Sequence, residues 1–333
     1  MSIHIDKLVA TGLAGSTHPG VRKFSFVGVT TGGSAIRRVF PAWAVHLGLE
    51  NVELATWDLP VGATPSSYRE VITAIKEDPA NLGGLITTHK VALFEACRDM
   101  FDETDPLAGM CREVSCLSKR NGTFRAHAKD PVSSARCLAE MVPPGHWAET
   151  RAEVLLLGAG GANLAISVHL LSSQPEDARP AGIIAVDKDE ARLSAMGAVH
   201  RRLMSNVPVR YVLGSDPRQN DALLATLPPG SLVVNGTGMG KDIPGCPLTP
   251  GAVFPYKAIA WELNYRGELD FLQMAEQQMP SRSLVVRDGW RYFVHGWACA
   301  IEETFGLEIG GQLLEELSQI ALRHREPKEA RQK

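Results

Sequence analysis

Residues 154–163 read Val-Leu-Leu-Leu-Gly-Ala-Gly-Gly-Ala-Asn, an apolar run that enters a glycine-rich turn. Four consecutive apolar residues ending at glycine predict a strand buried on both faces, and residues 163–172 continue with helical spacing. Each part of such a turn has a chemical reason. Gly158 permits the sharp reversal, and Ala159 leads to Gly160, which removes the side chain that would block a pyrophosphate. Gly161 and Ala162 then open a helix whose free N–H groups and positive dipole suit phosphate charge. Asn163 holds the third position of the signature, where glycine or alanine is usual. Asp187 closes the next apolar run, 182–186, a little beyond the usual ~20-residue spacing, where a carboxylate accepts hydrogen bonds from an adenosine ribose. An acid there repels a 2′-phosphate and favours NAD, while Lys188 and Arg192 soften the preference and leave NADP open.

Outward from this turn, short β-type runs alternate with helical stretches. Downstream, a helix is predicted over 190–203 and strands over 209–213, 232–235 and 259–263, which argues for a parallel, doubly wound sheet. Upstream, strands are predicted at 23–30, 52–57 and 84–88, with helices at 35–49, 65–75 and 90–100. Residues 113–118 and 123–128 form a predicted hairpin turning at Asn121–Gly122. Pro143-Pro144-Gly145 reads as a linker, and two helices are expected after Asp288. The glycine cluster Asn235-Gly-Thr-Gly-Met-Gly-Lys241 fails as a P-loop, because Asp242 stands where a magnesium-binding hydroxyl is needed. It reads as the loop after a strand, with Thr237 on the nicotinamide side.

The 333 residues suggest two domains at ~150 residues each. A hydrophobic content of 44% with 21% charge excludes wholesale disorder. A net charge of −3 offers no excess of cations for a nucleic-acid backbone or an anionic membrane. No window approaches the ~18 apolar residues of a membrane span, and the acid at Asp6 interrupts any signal-peptide core, so a cytoplasmic location is expected. The six cysteines show neither a C-x-x-C pair nor zinc spacing, so no metal site is expected.

Two candidates for proton transfer end predicted strands: Lys90 in Thr87-Thr-His-Lys90, and Asp130 in Ala128-Lys-Asp130. Oxidising a secondary alcohol requires a group that takes the hydroxyl proton as hydride departs, and a lysine beside a carboxylate can serve if burial lowers its pKa towards neutrality. The ordered set of landmarks resembles the shikimate dehydrogenase family. It runs through Gly28 and Ser34, His89-Lys90, Asp130, the 158–162 turn, Asn235-x-Thr237, Tyr265 and Asp288-Gly289. The resemblance implies that Lys90 and Asp130 form the catalytic pair. It also implies that Tyr265 contacts substrate, and that Gly289 and the backbone of Leu263 flank the nicotinamide. It further implies an N-terminal α/β substrate domain and a Rossmann-type dinucleotide domain, with the C-terminal helices returning to the first. The expected boundaries are 1–136 with 288–325, and 137–287.

The departures from that family are as informative. Ser34 remains, but Ile36 stands where a second serine would hold the substrate carboxylate. Gly84, Ile86 and Thr88 replace asparagine, threonine and proline, Ser115 replaces asparagine, and Gly296 replaces the substrate-binding glutamine after His295. Ser34, Thr87, Ser115, Tyr265 and His295 remain as substrate-binding candidates, with Arg37 or Arg38 as optional anion contacts. A site stripped of its polar partners discriminates against the original ligand by ~10⁴-fold, which makes shikimate a poor candidate. The reading is an NAD-dependent dehydrogenase of a small polyhydroxylated cyclic alcohol, with a cleft between the domains. Its rivals are a methylenetetrahydrofolate dehydrogenase-like enzyme and a non-catalytic dinucleotide-binding regulator. Partners are a small-molecule alcohol or ketone, with a homodimer left open.

Overall fold

Phe24 and Phe26 alternate with Ser25 and Val27 along the first strand, and all four are buried, so both faces of that strand are covered. The computed structural model describes residues 20–241 and 243–325; the stretch around Asp6 and the tail beyond Arg325 lie outside them. The chain divides into two units. Of the described residues, those up to Lys129 and Trp297–Arg325 form the first, and Asp130–Gly296 the second.

The first unit begins with β1 (Arg22–Gly28), α1 (Ile36–His46), β2 (Val52–Asp58), α2 (Pro65–Glu77), β3 (Asn81–Ile86) and α3 (Lys90–Cys97). β4 (Glu103–Thr104), α4 (Pro106–Cys111), β5 (Cys116–Arg120) and β6 (Thr123–His127) follow. The sheet order is β2-β1-β3-β5-β6-β4. β1, β2 and β3 run parallel and β5 antiparallel to both β3 and β6. The hairpin turns where expected, with Asn121 and Gly122 at φ 52° and 76°, the left-handed pair that matches strand twist. Behind one face, Val27, Ile72, Ile75, Ile86 and Leu93 form a core with α2 and α3. On the other, the Phe26 and Trp297 rings meet edge-on at 4.9 Å, and Phe24 stacks on Phe40 at 5.4 Å.

The second unit contains α5 (Asp130–Met141), α6 (His146–Thr150), β7 (Val154–Leu157), α7 (Gly161–Ser172), β8 (Ile183–Asp187) and α8 (Glu190–Leu203). It continues with β9 (Val209–Leu213), α9 (Pro217–Thr226), β10 (Leu232–Asn235), β11 (Ile259–Glu262), α10 (Asp270–Arg282), β12 (Val285–Arg287) and the start of α11 (Trp290–Phe305), whose residues from Trp297 on belong to the first unit. α12 (Gly311–Arg323) completes the first unit, where Trp43 of α1 donates its indole N–H to the Leu317 carbonyl at 2.8 Å. The second sheet is wholly parallel with order β12-β11-β10-β7-β8-β9, the doubly wound arrangement whose switch point lies between β7 and β10.

The division falls after Lys129 and Gly296, whereas the sequence placed it after 136 and 287. α5 runs unbroken from Asp130 and packs on α7, and α11 passes Gly296 without a break. Pro143-Pro144-Gly145 is therefore no interdomain linker: it is the turn between α5 and α6, closed by His146 N–H on the Pro143 carbonyl at 3.1 Å. The strand expected at 84–88 instead ends at Ile86, leaving Thr87 and Thr88 in a loop.

His200 on α8 lies buried between Ser167 and Tyr211. Ser167 Oγ donates to the Leu164 carbonyl at 2.8 Å, so His200 Nε2–H donates to Ser167 at 2.7 Å and Nδ1 accepts from the Tyr211 hydroxyl at 2.8 Å. This neutral tautomer leaves no place for a second ring proton, and burial pushes the imidazole down to about 4. An unfolded histidine titrates at ~6.5, so the unfolded chain binds the proton first. The stabilisation, about 3 kcal/mol from the shift, is fully present above that value and is lost as pH falls through about 4. Urea midpoints of the wild type should therefore drop across this window relative to those of His200→Phe. Parallel profiles for the two proteins would refute the assignment.

Candidate active site

On the first unit, the parallel strands β1, β2 and β3 end at one edge of the sheet, and antiparallel pairing brings the start of β5 and the end of β6 to the same edge. Ser34, Asp58, Thr87, Lys90, Ser115 and Lys129 are thus delivered to one rim, the carboxyl edge where α/β sheets place ligands. Ser34 is half-buried just beyond a single 3₁₀ turn at Thr31–Gly33. Asp58 anchors that turn by accepting the Thr31 N–H at 2.8 Å.

Lys90 is the first residue of α3, and its position is fixed from both sides. His89 is 3% exposed; its Nε2–H donates to the Leu59 carbonyl at 3.0 Å, and its Nδ1 accepts from the Tyr68 hydroxyl at 3.0 Å. Burial lowers the His89 pKa, and with both nitrogens occupied it stays neutral and structural. The Lys90 carbonyl accepts from Val114 N–H at 3.1 Å. Thr88, between Thr87 and this anchor, has φ 53°, a left-handed conformation that costs a β-branched residue ~1–3 kcal/mol. A proline, whose ring fixes φ at about −65°, could not adopt it.

Several substrate candidates turn away from the rim. Ser115 is 2% exposed and its Oγ accepts the Lys129 N–H at 2.7 Å, fixing the residue before Asp130. The Thr87 hydroxyl leans on the Val27 carbonyl at 3.3 Å. Ile36 is fully buried, and Arg38 directs Nε to the His324 carbonyl at 3.5 Å, while Arg37 is exposed. Among the cysteines, burial drives Cys97 up to about 12, Cys246 up to about 11 and Cys116 upwards, so these thiols stay protonated.

On the second unit, the glycine turn sits at the switch point. Gly158 has φ 96°, and a side chain there would press on the backbone of Gly236 and Thr237 at 3.1–3.2 Å. A Cβ on Gly160 would meet nothing within 4 Å, so space stands open above the first turn of α7. That opening is what a pyrophosphate against the amides of Gly161 and Ala162 requires. Asp187 is 8% exposed and takes two backbone N–H groups, from Ala159 at 2.7 Å and Asp189 at 2.9 Å. Lys188 is exposed, and Arg192 leans to Asp189 at 3.6 Å. Asn163, an apparent departure in the sequence, has a packing reason. It donates Nδ2 to the carbonyls of Leu157 and Gly158 at 2.9 and 2.7 Å, and occupies the space that the absent side chain of Gly236 leaves.

At the other half of this sheet, Thr237 donates its hydroxyl to Asn235 Oδ1 at 2.7 Å. Gly289 N–H donates to the Asn264 carbonyl at 3.0 Å, and its bare Cα lies against the carbonyl of Leu263. Tyr265 packs on Trp290 and Phe293 with ring centroids 5.4 and 5.2 Å apart. His295, read from the sequence as a pocket residue, is 1% exposed and bound through Nε2 to Glu140 at 2.8 Å. Arg291 grips the same carboxylate at 2.7–2.9 Å, and these two partners hold it down at about 2 against the effect of burial. His295 thus joins α11 to α5 instead of facing a ligand. Beside it, a Cβ on Gly296 would meet nothing within 4 Å. Sequence reading missed Glu140, Asp58 and Glu262; Asp58 and Glu262, acids at strand ends, carried a usable signal, and Glu140 on α5 carried none. Among the described residues, no group of His, Cys, Asp or Glu is placed to hold a metal, and no helix is long and apolar enough to cross a membrane.

No protein-family model matches the chain, and no curated protein does. Solved structures do. Quinate dehydrogenase from Corynebacterium glutamicum in complex with NAD superposes with a TM-score of 0.70 at 18% identity, covering 91% of this chain and 99% of that one. Shikimate 5-dehydrogenase from Thermus thermophilus, in complex with NADP(H) and shikimate, gives 0.66 at 21%, covering 91% and 100%. The ligand-free 5-ketofructose reductase of Gluconobacter sp. strain CHM43 gives 0.64 at 19%, covering 91% and 98%. The fold expected from the order of landmarks is the one these enzymes share with the chain.

Proposed function

We propose that the chain is a nicotinamide-dependent dehydrogenase that interconverts a secondary alcohol and a ketone on a small polyhydroxylated compound, and that shikimate is not its substrate. The observation that carries this reading is the pairing of two features: Lys90, anchored at the carboxyl edge of one sheet, and a glycine turn left open at the switch point of the other. Lys90 takes the hydroxyl proton in oxidation and returns it in reduction, the task that the resemblance implies for it together with Asp130. A bound nicotinamide would supply the hydride acceptor. Thr237, Leu263 and Gly289 would line its ring, Tyr265 the substrate, and Gly160–Ala162 the pyrophosphate. NAD is favoured over NADP, because Asp187 is acidic and Asp189 draws Arg192 aside.

Substrate recognition favours an uncharged polyol. Ile36 is withdrawn into the core, Arg38 is engaged with the chain's own backbone, and Asp58 adds negative charge at the rim. A reductase of an uncharged ketose among the structural neighbours supports the same direction. The test is formation of reduced nicotinamide from NAD and NADP over a panel of cyclitols, sugars and hydroxy acids. Turnover should be found with a neutral polyol and NAD, and shikimate should be slower. Tight NAD binding with no turnover on any alcohol would instead make the chain a dinucleotide-binding regulator.

A further inference from the structure

Glu262 ends β11 with its side chain wholly buried. Its Oε2 accepts from Asn235 Nδ2 at 2.6 Å and its Oε1 from the Asn264 N–H at 2.8 Å. Each asparagine passes the constraint on. Asn235 Oδ1 receives the N–H and the hydroxyl of Thr237 at 3.2 and 2.7 Å, and Thr237 Oγ1 receives the Met239 N–H at 3.1 Å. Asn264 donates Nδ2 to the Met239 carbonyl at 3.2 Å, and its own carbonyl receives the Gly289 N–H at 3.0 Å. One carboxylate therefore ties together the loop after β10, the loop after β11 and the entry to α11. Those segments carry Thr237, Leu263 and Gly289.

We propose that Glu262 is the positioning residue of the nicotinamide end, acting through Asn235 and Asn264, and that its charged form holds these three segments in the arrangement that receives the ring. The inference rests on the dinucleotide reading above. Burial pushes the Glu262 carboxyl up to about 7, against the pull of its hydrogen bonds, and the nearby charge of Asp288 adds to the rise. Asp288, which precedes α11, and the thiol of Cys246 are the ionisable groups coupled to it from neighbouring segments. Protonation turns one acceptor oxygen into a donor, which then opposes either the Asn264 N–H or the Asn235 amide. A buried donor facing a donor costs the full loss of that bond, so the loops shift.

The experiment uses the full chain, with NADH and ADP-ribose as calorimetric titrants, between about pH 6 and about pH 8.5. Wild-type NADH affinity should fall as pH drops through about 7. Glu262→Gln should bind NADH about tenfold more weakly than wild type at the upper pH, with no pH dependence. ADP-ribose, which lacks the nicotinamide, should bind both proteins equally; a merely structural defect would weaken both titrants together. Unchanged NADH affinity in Glu262→Gln overturns the proposal. If that variant fails to fold, a flat wild-type NADH profile overturns it and a falling one, with ADP-ribose flat, supports it. Absence of binding by either titrant to the wild type removes the dinucleotide reading itself, and this inference with it.

Discussion

Lys90→Ala should lower turnover by about 10²–10⁴-fold, the range expected when a general acid/base is removed, while NADH affinity stays at the wild-type value. The separation follows from how the position is built. The start of α3 is anchored by the doubly bonded imidazole of His89 and by the Lys90 carbonyl, which holds Val114 N–H. Truncation to alanine, a good helix former, leaves those bonds in place. Lys90→Arg should not rescue turnover, since a guanidinium keeps its proton at any pH at which the protein is folded. The measurement is steady-state turnover on the best alcohol of the panel, together with NADH titration. Wild-type turnover in Lys90→Ala would exclude the lysine from the chemistry. Lost NADH binding would mean that the residue holds the fold and not the proton.

Much of this architecture is legible in the chain because its signals are local. The glycine turn at 158–162 works through backbone geometry, so its sequence declares its shape, and the helix at 190–203 starts and ends where its spacing predicts. What the sequence conceals depends on partners far along the chain. Glu262 reads as the polar end of a strand until Asn235 is brought beneath it by the parallel pairing of β10 and β11. His295 and Ser115 are polar residues at plausible positions, but burial obliges each to find a partner, and the partners found are Glu140 and the Lys129 amide. Asn163 looked like a defect in the glycine signature because the compensating change, Gly236, lies in another loop. α9 and α10 have weak apolar periods. Neither is predicted from the sequence; the start of α9 is fixed by Asp216, whose carboxylate accepts Arg218 N–H at 2.9 Å, and by Pro217 at its first position.

Gly289→Ala should be severely damaging for a single added methyl. The Cβ it adds would overlap the Leu263 carbonyl and come within 3.0 Å of the Asn264 carbonyl carbon. Both obstacles are backbone, so no rotamer change relieves them. Either the start of α11 or the segment after β11 must move, and the Gly289 N–H to Asn264 bond stretches with it. Overpacking of this kind costs ~1–3 kcal/mol of stability. The functional loss should be larger, because the displaced backbone is the proposed wall of the nicotinamide pocket, and a misplacement near 1 Å costs about 10²-fold in rate. NADH affinity and turnover should both collapse while ADP-ribose binding survives, since the glycine turn and Asp187 lie at the other half of the sheet. By contrast, Gly296→Ala, whose added Cβ meets nothing within 4 Å, should leave stability and cofactor affinity intact. Equal behaviour of the two variants in thermal melts and NADH titration would show that the Leu263–Gly289 contact yields easily, and would remove the backbone wall from the account of cofactor binding.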